Sequence, residues 1–335
     1  MLNLNQDFDV SINSSFRDKT VLITGGLGLT GSNLARKLVS LGARVTVYTK
    51  SLRHEANIKD IKERVEIILG DISDKNKIQQ AVLNKDFIFL LAGQTSVPIS
   101  MENPFLDLEL NARATLNVLE ACKEFNKEAN IIFAGTIREA GQIENTYARE
   151  KQREDPTSIF DLHKLTSEKY LQIYNKVYGL KTVTLRFSNI FGMGQVETDP
   201  HVSVINHFVK KAIIEKKLQV YGNGGPLRDY NYVENIVDAC LIASTTPKAW
   251  GNVYITGSGE GRNFKQFLDS LKEILKKEYN IDIEITKVPT PEIISKTVQG
   301  DVIADYYKFM SDTGWKPKIS FQEGLKKTVE FYMKG

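Results

Sequence analysis

The 335 residues carry 44 Lys and Arg against 41 Asp and Glu, a formal charge of +3, which excludes a strongly basic nucleic-acid binder and an acidic solvating chain. Hydrophobic residues at 41%, charged residues at 25% and only 9 prolines exclude disorder and collagen-like repeats. The length fits one large domain or two modest ones.

Residues 1–18 are polar, include Asp7, Asp9 and Asp18 and lack an apolar core, so they predict an extension rather than a secretory signal. Apolar runs of strand length then alternate with stretches of helical period. Strands are predicted at 20–24, 44–49, 65–69, 87–92, 130–134 and 182–187, and helices at 33–41, 106–125 and 161–178. Parallel strands need long crossovers. This βαβα rhythm therefore predicts an α/β fold, a Rossmann-type doubly wound parallel sheet covered by helices on both faces, over 19–190. Past 190, Gly192, Gly194, Gly222, Gly224, Gly225 and Pro226 mark loops. Helical patterns recur near 202–217, 233–245 and 263–278, and a β-like run covers 281–288. Residues 191–335 predict a smaller C-terminal α/β substrate domain, with 230–245 returning to the N-terminal one. Cys122 and Cys240 are far apart and lie in apolar helical patterns, which predicts buried free thiols in a reducing compartment. No run approaches the roughly 20 apolar residues that cross a bilayer, so a soluble cytoplasmic chain is expected.

The first predicted strand runs straight into Gly25-Gly26-Leu27-Gly28-Leu29-Thr30-Gly31, and a helix follows at once. A side chain at Gly25 or Gly28 would hold a pyrophosphate off the backbone, and Gly31 lets the helix pack on the strand. Free N–H groups at the helix start, beginning with Leu29, and its positive dipole end then face the phosphates. The strand–turn–helix context turns a weak pattern into a dinucleotide site. At the tip of the second strand Thr49 stands where an acid usually holds the ribose 2′-hydroxyl, while Lys50 and Arg53 are available for a 2′-phosphate. The cofactor is therefore NADP or NAD, leaning to NADP. Asp71 and Ile72, after the third strand, are placed to reach the adenine, and Leu91, Ala92 and Gly93 after the fourth complete the cofactor side.

Several ordered motifs carry a resemblance over about 19–332: TGGLGLTG at 24–31, LLAGQTSV at 90–97, Asn103-Pro104, NARATLNVLEA at 111–121, Arg186-Phe187-Ser188-Asn189 and VYGNGGPLRD at 220–229. Gly314-Trp315-Lys316-Pro317 and Gly324-Leu325 also fit. Together they resemble the extended short-chain dehydrogenase/reductase family, the nucleotide-sugar epimerases and dehydratases. The LAGQ wording and the Asn-Pro-x-x-Asp-x-Glu-x-Asn pattern are similar to its CDP-paratose 2-epimerase branch.

The resemblance implies an active-site Ser or Thr after a strand, here Thr136, and a later Tyr-x-x-x-Lys on a helix. The Lys binds the nicotinamide ribose and lowers the Tyr pKa so that tyrosinate accepts a hydroxyl proton. This chain keeps Lys164 but has Phe160 in place of the phenol. Tyr147 and Lys151 repeat the spacing by chance in a charged loop. His163, at i+3 from Phe160, is a candidate replacement, against a packed or solvated helix histidine. Glu139 is a second candidate, against a surface loop charge. Water or Thr136 could relay the proton instead, or the site could bind without reacting. The dehydratase branch places Asp-Glu after the Thr; Ile137 and Arg138 stand here, which favours epimerisation or keto reduction over 4,6-dehydration.

On the sugar-nucleotide side, the resemblance assigns Asn189 and Arg228 to the diphosphate, for which a guanidinium fork suits, and Thr95 to the substrate. A surface salt bridge to Asp229 is the alternative for Arg228. The family's second diphosphate Arg is missing, with Val298-Gln299-Gly300-Asp301 in its place, and Lys296 is a candidate substitute. His201 and His207 have no ligating partners nearby, so no metal is expected. The implied activity is an NAD(P)-dependent nucleotide-diphosphate-sugar epimerase, an isomerase working as a homodimer through helices 106–125 and 161–178, with no nucleic acid or membrane partner. The alternatives are a 4,6-dehydratase, a 4-ketoreductase or a silent nucleotide-sugar or NADP binder.

Overall fold

The computed structural model describes residues 14–141, 146–195, 203–289 and 300–334. Its strands in chain order are β1 (Thr20–Thr24), β2 (Arg44–Thr49), β3 (Val65–Leu69), β4 (Phe87–Leu90), β5 (Asn130–Thr136), β6 (Tyr147–Ala148), β7 (Lys181–Phe187), β8 (Asn189–Phe191), β9 (Lys217–Tyr221), β10 (Arg228–Tyr232), β11 (Val253–Thr256), β12 (Gly261–Arg262), β13 (Glu284–Val288) and β14 (Ile303–Ala304). The helices are α1 (Leu29–Ser40), α2 (Lys75–Val82), α3 (Val97–Glu102), α4 (Pro104–Leu108), α5 (Ala114–Phe125), α6 (Ile159–Tyr178), α7 (Val204–Glu215), α8 (Val233–Thr245), α9 (Phe264–Tyr279), α10 (Tyr307–Thr313) and α11 (Phe321–Met333).

Seven strands form one parallel sheet in the order β11-β7-β5-β4-β1-β2-β3. β1 and β4 at the centre of the sheet are buried on both faces, which is why they read as apolar runs, whereas β3 at its edge is partly exposed. Leu34 and Leu38 of α1 pack with Ile236 and Cys240 of α8 on one face. Ile78 of α2, Val118 and Leu119 of α5 and Leu171 of α6 cover the other. Chain order reverses between β1 and β4, so the carboxyl ends of the strands open a crevice there, where ligands bind in such sheets. A second, smaller core gathers Phe191, Val209, Phe267, Leu271, Phe321 and Leu325 beneath the sheet β12-β10-β8 and the pair β13-β9. Chain order does not divide the two cores at one point: β11 and α8 belong to the large sheet although they follow residue 190.

Local chemistry explains where the elements differ from the periodicity. α1 starts at Leu29 rather than 33, because Gly28 already serves as its N-cap. β5 continues to Thr136, paired with β7. The predicted helix 106–125 is broken: Asn103 caps a short α4 through Leu106 N–H (3.1 Å), and a π turn at Glu109–Arg113 separates it from α5. The run at 281–288 is strand only from Glu284. Tyr147, read as part of a loop, is in β6, which pairs with β14. Both cysteines are buried and free, and burial pushes the Cys122 thiol up to about 12. Among the described residues no helix is long and apolar enough to cross a membrane.

Candidate active site

The turn after β1 is bare main chain. Gly25 sits at φ +68°, and a Cβ there would lie 2.9 Å from the backbone of Ala92. A Cβ on Gly31 would lie 2.4 Å from the Gly25 carbonyl oxygen, so only glycine lets α1 approach the strand. Gly28 is exposed, its N–H donates to Gly25 O at 3.0 Å, and no side chain caps the helix that follows. Thr24 Oγ1 accepts from Leu91 N and Ala92 N, both at 3.2 Å, which ties the next segment against the turn. Such a cradle fits a pyrophosphate at a helix N-terminus.

Thr49 ends β2 and donates to Ser51 O at 3.0 Å, with Lys50 and Arg53 exposed beside it. Asp71 accepts from Ser73 N (2.9 Å) and Ser73 Oγ (2.7 Å). The Ser73 backbone hydrogen bond is the main cause holding its carboxyl below the usual range, and Lys50's charge adds to it. Ile72 is buried behind this turn. The Tyr48 hydroxyl donates to Asp71 O at 2.9 Å.

Thr136 closes β5 and caps the turn Ile137–Ala140: its Oγ1 accepts from Arg138 N at 3.2 Å. Lys164, on α6, is buried; its ammonium donates to Ala134 O at 2.8 Å and lies 4.6 Å from the centre of the Phe133 ring. Burial pulls its pKa down to about 8, against the upward pull of Glu139 and Asp107. Phe160 is buried one turn before it, its N–H donating to Ser100 Oγ at 3.2 Å.

His163 is neither solvated nor merely packed. Its Nδ1 lies 2.7 Å from Asp107 Oδ1, and Asp107 is fully buried on α4. Asp107 Oδ2 accepts from Gln94 Nε2 at 2.8 Å, so the carboxylate orients the imidazole and is itself held by the segment that carries Gly93 and Thr95. Thr95 is exposed.

Asn111 opens the 111–121 motif and ends the Asn-Pro-x-x-Asp-x-Glu-x-Asn pattern, but the sequence assigned it no role. It lies in the π turn, its Nδ2 donates to Gln94 O at 3.0 Å, and its Oδ1 is buried with no partner among the described residues. A Cβ on Gly93 would come within 2.5 Å of that Oδ1 and 3.7 Å of Lys164 Nζ, so Gly93, Asn111 and Lys164 converge. The signal was a π turn, which interrupts helical period at functional sites.

Glu139 corrects the expectation of a surface charge. It is fully buried, its Oε1 accepts from Thr136 N at 2.8 Å and its Oε2 lies 3.1 Å from Arg186 Nε. Arg186, also buried, bonds Glu168 through Nε (2.7 Å) and Nη2 (2.8 Å) and Glu154 through Nη2 (2.8 Å). Burial first, and then Glu168's charge, raise the Glu139 pKa well above the usual carboxylate value. This carboxyl is committed to the Thr136 backbone and the arginine.

Asn189 is exposed on β8, with Nδ2 donating to Asp229 O at 3.2 Å. Arg228 does not form the surface bridge to Asp229. Asp229 is fully buried and accepts from Ser258 N (2.8 Å), Gly259 N (2.9 Å) and Ala304 N (3.1 Å). Arg228 instead donates through Nη1 to Leu227 O (2.8 Å) and Gly300 O (2.7 Å). Burial lowers its pKa, and so does the charge of Arg138, two residues past Thr136. The end of β5 and the sheet β12-β10-β8 thus share one electrostatic neighbourhood. Lys296 and His201 lie outside the described residues. His207 packs edge-on to Phe208, and no group of three ligating side chains occurs among the described residues.

Residues 21–257 match the NAD dependent epimerase/dehydratase family. The chain is 30% identical to the CDP-paratose 2-epimerase of Salmonella typhi, covering 93% of this chain and 98% of that one. It is similar in structure to the UDP-glucose 4-epimerase of Thermotoga maritima solved with UDP-glucose: TM-score 0.84, 29% identity, 94% of this chain and 99% of that one. The UDP-glucose 4-epimerase of Thermus thermophilus in complex with NAD superposes with TM-score 0.81 at 28% identity, again over 94% and 99%.

Proposed function

The chain belongs to the NAD dependent epimerase/dehydratase family, and from that premise we propose that it inverts one carbon of a nucleotide-diphosphate sugar by transient oxidation and re-reduction. The nicotinamide, when bound, supplies a reversible hydride acceptor. Lys164 holds the nicotinamide ribose and Thr136 fixes the reacting hydroxyl by a hydrogen bond. His163 would accept the hydroxyl proton through Nε2 as the carbonyl forms and return it when that carbonyl is reduced. The observation that carries this reading is the 2.7 Å contact between His163 and the buried Asp107 beside the missing phenol. A buried carboxylate that fixes the orientation of an imidazole is the arrangement of a working acid–base pair.

Two features support epimerisation over dehydration: Ile137 and Arg138 follow Thr136, and Glu139 is spent inside the ion cluster. Thr49, Lys50 and Arg53 support NADP over NAD. Phe105, 79% exposed, with exposed Met101, Ile173 and Val177 on α3, α4 and α6, supports a homodimer through these helices. Buried free thiols suit a reducing cytoplasm.

The test is turnover of UDP-, CDP-, GDP- and dTDP-sugars with either dinucleotide, read by NMR of the sugar. His163→Gln is expected to lower kcat by about 100-fold or more with KM little changed; undiminished kcat removes histidine from the reaction. The second reading, a silent binder, rests on Phe160. It gains ground if the wild type turns over nothing while Phe160→Tyr becomes active.

A further inference from the structure

Gln94 lies between the segment that follows β4 and the pair His163–Asp107, and it is held at both its main chain and its side chain. Its carbonyl oxygen accepts from Asn111 Nδ2 at 3.0 Å. Its side-chain amide turns back onto Ser96: Oε1 accepts from Ser96 N, and Nε2 donates to Ser96 O at 2.7 Å. A backbone N–H only donates and a backbone carbonyl only accepts, so these two contacts allow the amide one orientation. Turned over, it would set its own N–H groups against Ser96 N–H and its oxygen against Ser96 O. Ser96 is fixed in its turn, because it is buried and its Oγ caps α3 by accepting from Ile99 N at 3.4 Å.

Gln94 Nε2 also donates to Asp107 Oδ2 at 2.8 Å. Asp107 is fully buried, and its Oδ1 is the oxygen left to accept from His163 Nδ1, 2.7 Å away. A proton on Nδ1 leaves the neutral ring with its lone pair on Nε2. The direction of donation thus passes from the Ser96 backbone through one amide and one carboxyl group to the imidazole. We propose that Gln94 is a positioning residue that selects the Nδ1–H tautomer of His163 and so keeps Nε2 open as the proton acceptor. The proposal rests on the acid–base reading of His163 and deepens it. Gln94 acts through Asp107 and has no need to touch the sugar or the nicotinamide.

Nitrogen-15 NMR of the full chain labelled at histidine tests it, at a pH where the ring is neutral, because the two tautomers have distinct nitrogen shifts. The His163 signals are those missing from His163→Gln. Wild type is expected to show Nδ1–H. Asp107→Asn should invert the ring. With Gln94 donating to the amide oxygen at 107, only the amide hydrogens remain for the ring, which must accept at Nδ1 and carry its proton on Nε2. The kcat of that variant should fall by about 100-fold or more. Adding Gln94→Leu to Asp107→Asn frees the amide to turn over, and a measurable fraction of Nδ1–H should return, which a merely structural role for Gln94 would not produce. Gln94→Met takes its place if the leucine variant does not fold. An Nε2–H ring in wild type, or an Asp107→Asn ring indifferent to the change at 94, overturns the role of Gln94. Tautomers that follow the expectation while His163→Gln keeps its kcat leave Gln94 in its role and overturn the acid–base reading of His163.

Discussion

The turn after β1 and the cluster at the end of β5 face the same crevice, but they are made of different material. The first is main chain: glycine backbone and a helix start that no side chain caps. The second is side chains drawn from four elements: Thr136 from β5, Lys164 and His163 from α6, Asp107 from α4 and Asn111 from the π turn. A backbone site tolerates no added atoms. A side-chain site tolerates exchange of its members, provided buried charges remain compensated. That contrast accounts for an intact glycine turn beside a cluster in which Phe160 stands where the resemblance implies a phenol.

Variants that strike one material and not the other sharpen the comparison. The largest effect is expected beneath the cluster. Arg186→Leu leaves Glu168 and Glu139 buried without their cation, and breaking such a group should cost about 3–5 kcal/mol in a urea melt; a loss under about 1 kcal/mol would mean the cluster is not held by charge. Gly31→Ala comes next. Its Cβ meets Gly25 O at 2.4 Å, so the strand–helix packing must open at about 1–3 kcal/mol, and dinucleotide affinity should fall by at least about tenfold in calorimetry.

Lys164 gives a smaller effect that depends on pH. Its pKa is depressed to about 8, so it is charged at pH 7 and neutral above that value. Affinity that needs the ammonium should fall by up to about tenfold per pH unit above 8, and Lys164→Met should bind weakly with no such slope. The smallest effect is expected from Glu139→Gln. The Glu139 carboxyl keeps its proton above the ordinary value of 4.5. Just above that value the native state therefore binds more protons than the unfolded chain, and wild-type stability declines as pH rises toward the raised native pKa. The variant should match wild type within about 0.5 kcal/mol near pH 4.5 and hold its stability better as pH rises. Identical pH curves would show that Glu139 is ionised in the fold.

What the residues alone determined was everything written locally. β1, β2 and β3 run over the ranges their apolar and alternating patterns mark, because strand period is a property of neighbouring residues. The glycine turn was legible for the same reason, since a bare backbone is recorded as glycine and nothing else produces it. Thr136 and Lys164 were singled out by the family resemblance, and Phe160 by its departure from that pattern. The tertiary structure alone decided what long-range contacts do to ionisable groups. Glu139 reads as a loop charge until Arg186, distant in the chain, closes over it. His163 reads both as an acid–base candidate and as a packed or solvated helix histidine until Asp107, 56 positions away, takes its Nδ1. Burial and Coulomb energy depend on distance through space, and the order of residues along a chain does not contain that distance until the chain has folded.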